Sequence, residues 1–236
     1  MQTQDAPAEF LFKLWPKLEQ NWKTFAWVAG ILIAIGGILY YVSAQKEQQQ
    51  VDAGQALTAI MVNPVANSDI NQLASNFEQL AAKYPDTVAG KRAQLQAGAA
   101  LFASGKYPEA QAQFEKLLTM DANGSLAPTA ELGVAASLEA QNKLDDAAAK
   151  YKLVTTVFGD TACIQQAEFA LGRLAQQQNK LLDAKSHYDN AAHASLRSSV
   201  SEEAAQRSAE IKAKLDAAAP KPAATSATPA TPAVKK

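Results

Sequence analysis

Three segments of this 236-residue chain align with one another at a fixed interval of 37 residues, and that periodicity restricts the fold more than any other feature. Residues 106–114 align with 143–151 and again with 180–188. Ala110, Ala147 and Ala184 keep the interval twice, as do Phe114, Tyr151 and Tyr188. Upstream, Ala93, Ala130 and Ala167 form another column, Leu95, Leu132 and Phe169 a third, and the small residues Gly98, Ala135 and Gly172 a fourth. A unit this short cannot bury an apolar face alone, so the copies must stack. Alanine supplies 50 of the residues and aromatics only 7%. That composition favours closely packed helices over a β-sandwich or barrel, and the fold class expected is all-α.

Each copy reads as two helices around a tight turn. Helix A is expected over about 90–103, 129–140 and 166–177. Gly105, Asn142 and Asn179 follow, residues that tolerate the left-handed backbone ending a helix. Helix B then begins with Pro108 near its first turn in one copy. Acids at Glu109, Asp145, Asp146 and Asp183 face the positive end of the helix dipole. The small column lets helix B approach helix A, and the aromatic column fills the space between one hairpin and the next. The flanks continue the scheme, with an earlier helix B at 69–83 and its helix A at 45–61, broken by Pro64. A closing helix is expected at 201–215, with Ser199 and Glu202 at capping-box spacing. Residues 218–236, rich in Ala and holding Pro220, Pro222, Pro229 and Pro232, read as a disordered tail.

Between Lys23 and Lys46 lie 22 residues without a formal charge. As a helix they extend about 33 Å, enough for a hydrocarbon core of about 30 Å. Trp22 and Trp27 at one end and Tyr40 and Tyr41 at the other match the aromatic belts at the two headgroup levels. Lys13, Lys17 and Lys23 precede this segment, whereas Lys46 alone follows before Lys83, so residues 1–23 are expected in the cytoplasm and the repeats outside it. A cleaved signal peptide, with Val42-Ser43-Ala44 as cleavage site, is the rival reading. The long n-region, the length of the apolar run and the bulky Tyr40 and Tyr41 argue against it. Phe10, Leu14, Leu18 and Trp22 recur every four residues before the span, either as a short amphipathic helix in the inner headgroup layer interrupted by Pro16, or as an ordinary anchoring flank.

A small residue in helix A, a Gly/Asn-Lys-Tyr/Leu turn, Ala in helix B and an aromatic four residues later resemble tetratricopeptide repeats. The period departs from that family's 34, and Gln94, Glu131 and Glu168 stand where it often has a large apolar residue. With the short head carrying Leu14-Trp15, the single span and a directly continuous repeat domain, the ordered chain resembles the YfgM-like family. Those proteins are tetratricopeptide-repeat-like ancillary subunits of the SecYEG translocon in bacterial inner membranes. The resemblance implies a place beside protein translocation, with Sec subunits, secreted clients and periplasmic chaperones as partners.

The organisation expected is a cytoplasmic head at 1–23, a transmembrane helix at 24–45, a tetratricopeptide-like repeat domain at 46–217 and the tail at 218–236. Within the domain the clear repeats lie at about 90–126, 127–163 and 164–200, and the closing helix at 201–215. No catalytic site, cofactor or metal is expected. A net charge of −1 gives no electrostatic case for nucleic acid, and one Cys and two His leave little for a metal or a nucleophile. His187 and His193 are six apart, not four, and no phosphate loop or triad pattern occurs. Cys163 reads as a buried small residue, and Asp145-Asp146 as acids at a helix start. Gly36-Gly37 in the span reads either as a close-approach point for another helix or as ordinary glycine in a membrane helix.

The function expected is a membrane-anchored, non-enzymatic protein-interaction scaffold. Its alternatives are a scaffold for cell-envelope assembly or division, and a regulatory subunit of a membrane enzyme. Helix A lines the concave side of a superhelix of this kind. The expected protein-binding groove therefore holds Arg92, Leu95, Ala99 and Phe102, then Leu132, Ala136 and Glu139, then Phe169, Arg173 and Gln176. The competing expectation makes Leu95, Leu132 and Phe169 core residues packed on the preceding helix B.

Overall fold

The computed structural model describes residues 22–62, 69–159, 161–194 and 197–218, and all the regular structure among them is helical. The helices are α1 (Trp22–Val62), α2 (Ile70–Lys83), α3 (Val88–Ala103), α4 (Tyr107–Met120), α5 (Ala127–Ala140), α6 (Leu144–Val157), α7 (Thr161–Gln177), α8 (Leu181–His193) and α9 (Ser199–Ala218). Each packs on its sequence neighbours, and the A-type helices α3, α5, α7 and α9 also touch in succession. The fold is a solenoid of helical hairpins built at the 37-residue interval.

The turns inside the hairpins repeat atom for atom. Gly105, Asn142 and Asn179 have φ of 80°, 61° and 57°. In the first turn the amide of Lys106 donates to Leu101 O at 2.9 Å and that of Gly105 to Phe102 O at 3.0 Å. Lys143 to Leu138 and Asn142 to Glu139 repeat the pair, as do Lys180 to Ala175 and Asn179 to Gln176. This is the Schellman closure, in which one left-handed residue lets two amides satisfy the last free carbonyls of the helix.

The A helices start earlier than 90, 129 and 166, each for a local reason. Thr87 caps α3, its Oγ1 accepting from the Gly90 amide at 2.9 Å. Pro128 stands in the first turn of α5, where its fixed φ suits the helix and its missing N–H is not needed. The extra turn of α7 carries buried Gln165, whose amide donates to Ala191 O at 3.0 Å and so pins α7 to the end of α8. At α9 the cap differs from the Ser199–Glu202 pair expected. Ser198 is the cap: its amide donates to Ser201 Oγ at 2.9 Å, while the Ser201 amide donates to Ser198 Oγ at 3.3 Å. Ser199 already lies inside the helix.

Small residues set the spacing between helices. A Cβ built on Gly98 would lie 2.6 Å from the Phe114 ring, and one on Gly133 would also lie 2.6 Å from it. Phe114 is thus clamped between its own hairpin and the next. Tyr188 lies nearly as close to Gly172, at 2.8 Å from such a Cβ. The buried core divides into three clusters along the stack. Ala53, Leu57, Phe77, Leu80 and Ala93 belong to the first, Phe114, Val134, Tyr151 and Leu174 to the second, and Ala184, Tyr188, Ala204 and Ile211 to the third.

Helix α1 is continuous over 41 residues, about 62 Å at 1.5 Å per residue. It is the one helix among the described residues long and apolar enough to cross a membrane, and its apolar part is fully exposed in the isolated chain. Its C-terminal portion is the expected A helix of the first hairpin, with Ala53 and Leu57 buried against α2 and α3. The expected amphipathic helix preceding Trp22, the break at Pro64 and the tail beyond Ala218 lie outside the described residues, with only Trp22 and Ala218 themselves described.

Candidate functional site

Successive A helices present one face to a common concavity. Leu95, Gln96, Ala99 and Phe102 of α3, Thr129, Leu132, Gly133 and Ala136 of α5, and Gln166, Phe169, Ala170 and Arg173 of α7 line an open cavity of about 480 Å³. Phe114 and Tyr151 close its floor from the B helices, and Val200 of α9 closes its end. Glycine at 133, in the column occupied by Gln96 and Ala170, keeps the middle of the cavity deep enough for the Phe114 ring to reach it.

Seven of the ten groove positions expected from the sequence come together here: Leu95, Ala99, Phe102, Leu132, Ala136, Phe169 and Arg173. Leu132 is buried, whereas Leu95 and Phe169 are half-buried, so the same column serves both core and cavity wall. Phe102 stacks edge-on against Tyr107, with ring centroids 5.2 Å apart. Arg92 is exposed on the first turns of α3 but outside the cavity lining. Glu139 and Gln176 lie outside the lining, and each accepts a hydrogen bond from a tyrosine of a B helix. The Tyr151 hydroxyl donates to Glu139 Oε2 at 2.9 Å, and the Tyr188 hydroxyl to Gln176 Oε1 at 3.0 Å. In the hairpin of α3 and α4 the corresponding positions are Phe102 and Phe114, so an aromatic without a hydroxyl stands opposite an apolar residue.

Arg173 reaches across hairpins to Glu139 Oε2 at 2.7 Å, and its side chain is 46% exposed. The carboxylate thus holds Tyr151 from below and Arg173 from the groove side. Burial, with the Glu139 charge beside it, pushes the Tyr151 phenol well above its ordinary value. Burial also raises the Tyr188 phenol.

A second set of polar pairs lies inside the hairpins, and the sequence did not announce it. Gln94, fully buried, donates to Gln113 O at 3.0 Å. Glu131, also buried, meets Lys150 at 3.3 Å, and Glu168 meets His187 Nδ1 at 2.7 Å. Each pair spans 19 residues, and both members keep the 37-residue interval. The polar residues that depart from the usual apolar position therefore each have a partner on helix B of the same hairpin. The signal was present as the column 113, 150 and 187, but its three different residue types disguised it.

Reactive chemistry is sparse. Cys163 is buried with Sγ 3.8 Å from Thr129 Oγ1, and His193 Nδ1 lies 2.7 Å from Asp189 O in its own helix. Among the described residues no group of three or more His, Cys, Asp or Glu side chains is placed to hold a metal ion.

Comparison with known proteins gives the same architecture. Residues 13–219 match the family model of the tetratricopeptide repeat-like domain. No curated protein sequence matches the chain. Among solved structures, a tetratricopeptide repeat protein from Parabacteroides merdae is similar with a TM-score of 0.52 and 15% identity, covering 72% of this chain and 62% of that one. This chain thus spans less than two thirds of that protein. A chain of nearly identical TPR-like repeats from Podosopora anserina gives 0.51 and 13%, covering 74% of this chain and 88% of that one. At such identities the likeness is one of fold.

Proposed function

Since the chain belongs to the tetratricopeptide repeat-like domain family, we propose that it is a membrane-anchored, non-enzymatic scaffold that holds protein segments in the concave groove of its A helices. The observation that carries this reading is the cavity itself. Its wall is mainly apolar, it is open to solvent, and apolar surface of this kind is stabilised by covering it with side chains of a partner. Arg173 and Gln166 at the wall supply polar contacts that fix the orientation of a bound segment.

The apolar first half of α1 and the lysines at 13, 17 and 23 support a single span with the N-terminus in the cytoplasm and the repeats outside. The resemblance to YfgM-like proteins adds the bacterial inner membrane as the setting, the Sec translocon as neighbour, and secreted chains and periplasmic chaperones as clients. Co-purification of the full chain from mild detergent tests the partner. Recovery of translocon subunits agrees with this reading, and recovery of division or cell-wall proteins in their place overturns it. A reporter active only outside the cytoplasm, fused after Leu215, tests the orientation.

The groove is tested separately by Ala99→Glu, which sets a charge on the exposed, apolar wall without removing a core contact. The expected result is loss of partner recovery with melting unchanged to within a few degrees, since surface substitutions of this kind shift stability by about 0.5 kcal/mol or less. Undiminished recovery by the folded variant refutes the groove.

A further inference from the structure

The join between α1 and the solenoid fixes the height and direction of every later hairpin. Gln50 Oε1 accepts from the Val88 amide at 3.1 Å, so the start of α3 is tied level with Gln50 on α1. Further along, Ala53 and Leu57 of α1 share a buried cluster with Ala93 and Ala97 of α3. The two helices therefore run in the same sense, with α2 returning between them. The α2–α3 turn, residues 84–87, which joins the first hairpin to the second, consequently points back toward the apolar segment of α1.

The apolar run of α1 ends near Ser43, and Gln50 lies seven residues beyond it, about 10 Å along the helix. The headgroup layer on each side of a bilayer is about 5–7 Å deep. The turn thus stands about 3–5 Å outside that layer, within reach of its longer side chains, and its residues suit the place. Lys83 is exposed, with Nζ 5.0 Å from the centroid of the Tyr84 ring, which is half-buried against the first core cluster, and Val88 is 61% exposed. Tyrosine and lysine with an adjoining apolar residue are the combination that settles at a membrane interface. Lys46 and Lys83 are offset by Glu47 and Asp86, so the patch has no net charge that would require anionic lipid.

We infer that the α2–α3 turn rests on the lipid headgroups of the membrane that α1 crosses, which aligns the hairpins along the bilayer normal and lays the stack out sideways over the surface. This rests on the reading of α1 as a membrane span. One consequence is a fixed stand-off: Leu95 and Phe102 lie seven and fourteen residues up α3 from Val88, so the groove is about 10–20 Å further out than the turn.

The test uses the full chain in phosphatidylcholine vesicles with single-cysteine probes. Val88→Cys and Ala103→Cys lie at opposite ends of α3, and Ile35→Cys lies in the apolar part of α1. Each is labelled with an environment-sensitive fluorophore in the folded protein, where Cys163 is buried, and the unsubstituted protein carried through the same labelling gives the background. Nitroxides are placed either on the lipid headgroup or deep in the acyl chain. The expected result is loss of most Val88→Cys fluorescence with the headgroup nitroxide, little change for Ala103→Cys, and quenching of Ile35→Cys by the acyl-chain nitroxide. Quenching of Ile35→Cys with none at Val88→Cys overturns the headgroup contact and leaves the span intact. Equal quenching at 88 and 103 overturns the upright orientation. No quenching at 35 overturns the span and the contact together.

Discussion

Gly98 offers a sharp test of how the hairpins pack. A methyl group at this position would lie 2.6, 2.8 and 2.9 Å from three atoms of the Phe114 ring, against ordinary carbon contacts of about 3.5–4 Å. The ring has little room to retreat by that ångström, because its other edge already fills the space that a side chain at Gly133 of the next hairpin would take. Two effects of opposite sign meet in Gly98→Ala. Helix propensity gains about 1 kcal/mol, and overpacking of a tight core costs about 1–3 kcal/mol. With the ring held on both sides the cost falls at the upper end, for a net loss of about 2 kcal/mol. In a chain of this size that is a drop in melting temperature of about 4–8 °C. Gly54→Ala on α1 is the control, since nothing lies within 4 Å of the added Cβ. It keeps the propensity gain alone and raises melting by about 2–4 °C. Both are read by circular dichroism of the full chain in mild detergent. Phe114→Leu combined with Gly98→Ala relieves the clash, so the double variant loses less than the sum of the two single losses. Stabilisation by Gly98→Ala matching that of Gly54→Ala would refute the clamp.

Three further outcomes are expected. Lys150→Ala leaves the buried Glu131 carboxylate without its partner and costs about 1–3 kcal/mol in a denaturant melt, whereas Glu131→Leu with Lys150→Leu restores most of that loss. Asn142→Ala forces an ordinary side chain to the left-handed φ of 61° and costs about 1 kcal/mol, while Asn142→Gly is neutral or stabilising; both are read as shifts in melting temperature. Tyr151 has a phenol raised above its unfolded value by burial and by Glu139, so the stability it contributes is complete below about pH 10 and is lost as pH rises past that point. Tyr151→Phe gives up its hydrogen bond to Glu139 at pH 7, about 1 kcal/mol, but flattens the fall in melting temperature above pH 10.

The stack was legible because its determinants are local or periodic. Gly105, Asn142 and Asn179 mark the turns by the backbone they permit, and Gly98 and Gly172 mark the close approaches by the side chain they lack. Seven of the expected groove positions line one cavity, since stacking hairpins at a constant step places equivalent residues on one wall. What escaped were pairings between different residue types. Gln94, Glu131 and Glu168 read as departures from a familiar pattern because Gln113, Lys150 and His187 share a geometric slot but no common chemistry. The tyrosine hydroxyls that Glu139 and Gln176 accept from belong to the same kind of pairing. Helix starts were early wherever the cap was one side chain among several candidates, as with Thr87 and Ser198.

The two kinds of polar pair make different demands on a chain built of similar hairpins. Gln94–Gln113, Glu131–Lys150 and Glu168–His187 each close within one hairpin, so a copied hairpin carries its own lock and remains interchangeable. Glu139–Arg173 closes between hairpins and acts as an address. If the stack slipped by one unit, α7 would meet α3 and Arg173 would face the Phe102 ring in place of a carboxylate. Glu139 would then keep only its tyrosine partner, with its charge uncompensated in a half-covered site. A scaffold of similar hairpins thus carries in Glu139–Arg173 a contact that distinguishes correct assembly from its nearest permutation.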